Sequence, residues 1–204
     1  MRRALWSSKI PSGDSVNRSP QFLLIGSTLL ASWLGMQAVH ECGHVFGAWV
    51  TGGEVERVVL HPFTISRTDL ARNPNPLLVV WAGPVFGVLF PVALWRTAAA
   101  ARLRGSFVLR FFAGFCLITN GAYIGVGSFD RIGDCGEMLR HGSPMWSLWA
   151  FGLIALPSGI WLWNRQGPSF GLGSANGVVD RRTAFGALLA STLLLALGFA
   201  IGGE

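Results

Sequence analysis

Five apolar runs, at residues 21–50, 77–95, 107–127, 144–163 and 184–201, dominate this 204-residue chain. A helix that crosses a hydrocarbon core of about 30 Å needs roughly 20 residues, and each run is close to that length or longer. Lipid offers the backbone no hydrogen-bond partner, so such runs can span only as helices. Composition agrees: 51% of residues are hydrophobic and 13% charged, where a soluble domain carries about 25% charged. The expected fold is an all-α polytopic membrane protein of about five transmembrane helices. It carries a short β-strand or hairpin element after the first helix and a broken helix near the site.

The formal charge of +6 is spread through the gaps between runs. It reads as topology signal and contact with the lipid bilayer, not as a nucleic-acid surface, which would need basic residues clustered with aromatics. Eleven of the 16 Lys and Arg residues fall on the amino-terminal side of the bundle and five on the other. The positive-inside rule therefore puts the amino terminus in the cytoplasm. Three cysteines, Cys42, Cys116 and Cys135, form no C-x-x-C pair and indicate no disulfide framework. They read as packing residues, with a Cys42–Cys135 redox link as the alternative.

Three regions follow from this organisation. Residues 1–20 are a flexible polar tail, with an organellar transit peptide as the alternative; residues 21–143 form a catalytic membrane core; residues 144–204 add two carboxy-terminal transmembrane helices. Connections this short leave no room for an attached soluble domain.

Two irregular stretches interrupt the helical pattern. Glu54–Ser66 alternates in part between polar and apolar and is rich in β-branched residues, so it predicts one or two short strands. An open strand edge of this kind can accept an extended peptide. In the third run, Asn120, Gly121, Gly125 and Gly127 precede Ser128–Asp134, a poor continuation of a helix. Irregular backbone at membrane depth survives where protein or a water-filled cavity satisfies it, which places a site nearby.

The residues that carry chemistry are His40-Glu41-Cys42-Gly43-His44, an H-E-x-x-H pattern inside the first apolar run. On a helix, positions i and i+4 share a face, so both imidazoles can bind one Zn²⁺ while Glu41 serves as general base. Ionisable groups within a spanning run are costly unless they face a partner or cavity, which argues against a mere packing role. A tetrahedral zinc needs a third protein ligand and an open position. Asp130 and Asp134 both follow the third run at the matching depth, and depth does not separate them. A local ion pair with Arg131 is the alternative for Asp130. Asn120 is a candidate for substrate binding or site support, or an amide satisfied by its own helix. Glu137 reads as a surface carboxylate, His61 and His141 as interfacial, and Gly83, Pro84 and Gly87 as residues of close helix approach.

His40-Glu41-Cys42-Gly43-His44, then Gly52-Gly53-Glu54-Val55-Glu56-Arg57-Val58, then Ala82-Gly83-Pro84, and finally Gly133-Asp134-Cys135-Gly136-Glu137-Met138-Leu139, together resemble the site-2 protease family of intramembrane zinc metalloproteases over about residues 21–140. Cys135 replaces a Gly of that family's D-G-G-x-x-L form, and Gly87 stands where its A-G-P-x-x-N has Asn. The resemblance implies Asp134 as third ligand beside His40 and His44, with one zinc per chain and a transmembrane protein as substrate. It also implies a site opening toward the cytoplasm, opposite to the charge count. Recognition would come from the membrane core, the strand region or a separate membrane partner. The competing reading is a non-proteolytic membrane protein whose metal site is structural and serves assembly or regulation. A transporter is disfavoured by the short chain and the lack of paired repeats.

Overall fold

The structure, a computed structural model, describes residues 17–201, so the tail expected at 1–20 lies almost wholly outside the described residues. Helix α1 spans Ser19–Val50. At 1.5 Å per residue its 32 residues extend about 48 Å, well beyond one hydrocarbon core. Pro20 opens it, where a missing N–H costs nothing. At its other end the Thr51 hydroxyl donates to the Gly47 and Ala48 carbonyls. Gly52, at φ +73°, then turns the chain out in the left-handed conformation that only glycine adopts cheaply.

A two-stranded antiparallel hairpin follows, β1 (Glu54–Val59) and β2 (Arg67–Arg72). Val58 pairs with Thr68 and Val59 with Arg67, and the register shifts between Val55 and Arg57. One strand thus lies inside the expected segment, but its partner lies beyond it. Arg67–Arg72 has a polar composition with no clear strand signal and is recruited by pairing with β1.

Helix α2 (Pro76–Ala100) starts on an Asn75 cap whose side chain accepts from the Leu78 N–H. Helices α3 (Ser106–Gly127), α4 (Gly133–Arg140), α5 (Met145–Trp163) and α6 (Arg181–Ile201) complete the chain, with two short 3₁₀ turns before α6. Five of these, all but α4, are long and apolar enough to cross a membrane. The break near the site falls after Gly127: α3 runs on unbroken through Asn120, Gly121 and Gly125 before the turn at residues 128–132.

Small residues set the helix spacing, as expected where lipid removes the hydrophobic drive between helices. On α1, a Cβ at Gly43 would fall 2.4 Å from the Ala82 carbonyl oxygen, and one at Gly47 would fall 2.7 Å from the Ala82 side chain. Helices α3 and α5 meet through Gly114, Gly121 and Gly125 against Gly159, Ala155 and Gly152. Val88 of α2, Ala113 and Leu117 of α3, and Ala155 and Leu162 of α5 form the core between them. Short α4 is pinned by Cys135 and Met138, both fully buried against Val80, Ile124 and Leu148. This apolar anchor carries Asp134 into the bundle.

Candidate metal centre

His40 and His44 lie one turn apart on the buried face of α1. Each has its Nδ1 occupied. His40 Nδ1 donates to Asn120 Oδ1 at 2.7 Å, and His44 Nδ1 donates to the Val79 carbonyl at 2.9 Å. The Asn120 amide is oriented by its own Nδ2, which donates to the Cys116 carbonyl at 2.9 Å. With the proton on Nδ1 in both rings, both Nε2 atoms present lone pairs, the tautomer a metal requires.

Those lone pairs converge. The two Nε2 atoms are 3.1 Å apart, and Asp134 Oδ2 lies 2.8 Å from that of His40 and 3.3 Å from that of His44. Three acceptors facing one another repel unless a cation lies among them. Tetrahedral coordination at about 2.0–2.1 Å sets ligand atoms about 3.3 Å apart, close to the observed triangle. The three residues could therefore hold a metal ion, and they are the group of this kind found among the described residues.

Asp134 reaches this position through two local devices. Gly133, at φ +57°, redirects the chain into α4, and the Tyr123 hydroxyl accepts the Asp134 N–H at 3.1 Å. The carboxylate then sits in the first turn of α4, where the helix dipole favours negative charge.

The close approach of α2 is needed for both rings. A Cβ on Gly83 would come within 2.4 Å of His44 Cε1 and Nε2, and one on Gly87 would come within 2.9 Å of Asn120 Oδ1. The glycine at 87, where the site-2 protease pattern has Asn, thus makes room for an amide supplied by α3.

Glu41 is 3% exposed, and its carboxylate accepts a hydrogen bond from the Thr68 hydroxyl of β2 at 2.8 Å. A cavity of about 700 Å³ joins these groups, lined by α1, the hairpin turn, β2, α2, α3 and α4. From the hairpin, the turn and β2 line this cavity; β1 contributes no lining residue.

The other candidates are distributed differently. Asp130 is exposed in the turn before α4, outside the triad, and makes no ion pair with Arg131. Glu137 pairs with Arg140 and His141 at the rim of the cavity. His61 packs against Phe63 and Phe199. All three cysteines are free. Cys116 and Cys135 are buried whereas Cys42 is exposed, so packing accounts for two of the three and no Cys42–Cys135 link forms. Thr68 and Tyr123 were not legible as site residues. Tyr123 is the sole tyrosine, which is the one signal that could have drawn attention to it.

The fold and these donors define an integral membrane protein in which two buried histidines and a half-buried aspartate meet beside a buried glutamate. The profile of the Peptidase M50B-like family matches residues 23–125, half of the chain, and the chain belongs to that family. The match takes in the H-E-x-x-H helix, the hairpin and α2, and ends before Asp134, whose place in the site rests on geometry. No curated protein and no solved structure matches the chain.

Proposed function

We propose that this protein is an intramembrane zinc metalloendopeptidase that hydrolyses a peptide bond of a membrane-spanning substrate. The observation that carries the reading is the convergence of His40 Nε2, His44 Nε2 and Asp134 Oδ2 within 3.3 Å at the wall of a cavity, with Glu41 adjacent in sequence. Family membership supports it independently.

His40, His44 and Asp134 are the ligands, and Asn120 and the Val79 carbonyl hold the two imidazoles in the ligating tautomer. A Zn²⁺ ion held there supplies Lewis acidity toward water and the scissile carbonyl. Glu41 takes the proton from the attacking water and returns it to the leaving amine. A helical substrate hides its carbonyls in hydrogen bonds, so it must unwind. We assign its extended form to the edge of β2, which borders the cavity, instead of to the 54–66 segment as a whole. Asn120, with both polar atoms engaged by protein, is assigned to orienting His40 and not to binding substrate. The Lys and Arg distribution supports a cytoplasmic amino terminus, testable by side-specific labelling of cysteines placed in the loops.

The test is zinc content and cleavage of a generic transmembrane peptide for wild type, Glu41→Gln and Asp134→Ala. The reading requires about one zinc per chain, retained in an inactive Glu41→Gln and lost in Asp134→Ala. Bound zinc without cleavage in any form would favour a structural site, and a zinc-free wild type would overturn the metalloprotease reading.

A further inference from the structure

Glu41 is held from outside its own helix. Thr68 Oγ1 donates to Glu41 Oε2 at 2.8 Å and lies 3.5 Å from the Glu41 main-chain carbonyl. Thr68 belongs to β2, and Leu70, two residues along and on the same side of the strand, also faces the cavity. A glutamate has three rotatable side-chain bonds, and nothing in α1 itself fixes the carboxylate. A hydroxyl donating to a carboxylate is a charge-assisted bond and a strong restraint on orientation.

The hairpin that brings Thr68 is closed at its base and docked at its turn. Near its base, Arg72 donates to the Gly52 carbonyl at 2.7 Å. At its turn, the His61 ring packs edge-on against Phe199 of α6, with centroids 5.2 Å apart. Gly198 of α6 lies so close to the turn that a Cβ there would sit 3.0 Å from the Leu60 carbonyl oxygen. Thr68 is therefore presented by a docked element and not by a free loop.

We propose that Thr68 is a positioning residue for Glu41, which makes the β1–β2 hairpin a working part of the catalytic apparatus and not only a docking edge. The proposal rests on the proteolytic reading above. The strand assigned to hold the substrate chain is the strand that holds the base, so substrate register and base orientation are set by one rigid unit. Glu41 then faces the bond to be cut when the peptide lies along β2.

The test compares the full chain, zinc-loaded in vesicles, as wild type, Thr68→Val and Thr68→Ser, with Glu41→Gln as reference. Valine keeps the shape and strand preference of threonine and removes only the hydroxyl. Three readouts are taken: kcat and KM on a transmembrane peptide, zinc content, and the Glu41 carboxyl band in infrared difference spectra against Glu41→Gln. The expected result for Thr68→Val is a kcat lower by about 10- to 100-fold, with KM and zinc content near wild type and a shifted Glu41 band. Thr68→Ser restores both kcat and band. Wild-type kcat with an unshifted band in Thr68→Val would overturn the proposal, as would a loss of zinc or a serine variant that fails to rescue. A wild type that binds zinc but cleaves nothing removes the proteolytic reading, and the positioning role with it; an active wild type with an indifferent Thr68→Val removes only the latter.

Discussion

Asn120 of α3 accepts the Nδ1–H of His40 of α1 at 2.7 Å, and the two residues are 1% and 7% exposed. The contact is anchored in turn by the Cys116 carbonyl one helical turn earlier. The tautomer of His40 is thus set by the packing of two helices, through residues 80 apart in sequence.

Replacing Asn120 by Leu should keep the volume and remove the acceptor. Loss of such an outer partner weakens metal affinity by about 10- to 100-fold. Competition against a chromogenic chelator measures this directly, and an affinity equal to wild type would refute the assigned role.

Gly83→Ala should abolish zinc binding, because its Cβ would occupy the space of the His44 ring at 2.4 Å. Overpacking of this kind costs about 1–3 kcal/mol or more. Gly87→Ala should act more mildly by pushing on Asn120. Gly26→Ala is the control, since nothing lies within 4 Å of its Cβ position. Zinc content and melting temperature in detergent report all three.

The two aspartates should separate cleanly. Asp134→Ala should lose zinc, since Asp134 lies in the triad, and Asp130→Asn should retain it, since Asp130 is exposed in a turn. Metal content after dialysis is sufficient; zinc loss in Asp130→Asn alone would reverse the assignment.

Tyr123→Phe should loosen the segment that presents Asp134, because its hydroxyl accepts the Asp134 N–H. Loss of one such hydrogen bond costs about 0.5–1.5 kcal/mol. Cys135 next door is buried and donates to the Tyr123 carbonyl. Burial, followed by the Asp134 charge, pushes its thiol up to about 11, which keeps it unreactive at neutral pH. In a Cys42→Ala background, thiol labelling of Cys135 should therefore rise when Tyr123 is changed to Phe.

The spanning helices were legible because a bilayer imposes one simple rule, about 20 apolar residues with every backbone group satisfied within the segment. His40, Glu41 and His44 were legible because helical periodicity alone puts i and i+4 on one face. The second strand was not: Arg67-Thr68-Asp69-Leu70-Ala71-Arg72 has little strand character of its own and becomes β2 through its register against β1.

Sequence by itself determined a multi-helix membrane protein and the placement of His40, Glu41 and His44 on neighbouring positions of one helix, since both follow from short-range periodicity. That Asp134 and not Asp130 lies beside the two imidazoles was decided by tertiary structure: it depends on Gly133 at φ +57°, on the burial of Cys135 and Met138, and on the Tyr123 hydroxyl. The same holds for Asn120 behind His40 and Thr68 beside Glu41. Each is a contact between segments that no local rule connects, formed only when close helix packing and a docked hairpin bring them within hydrogen-bond reach.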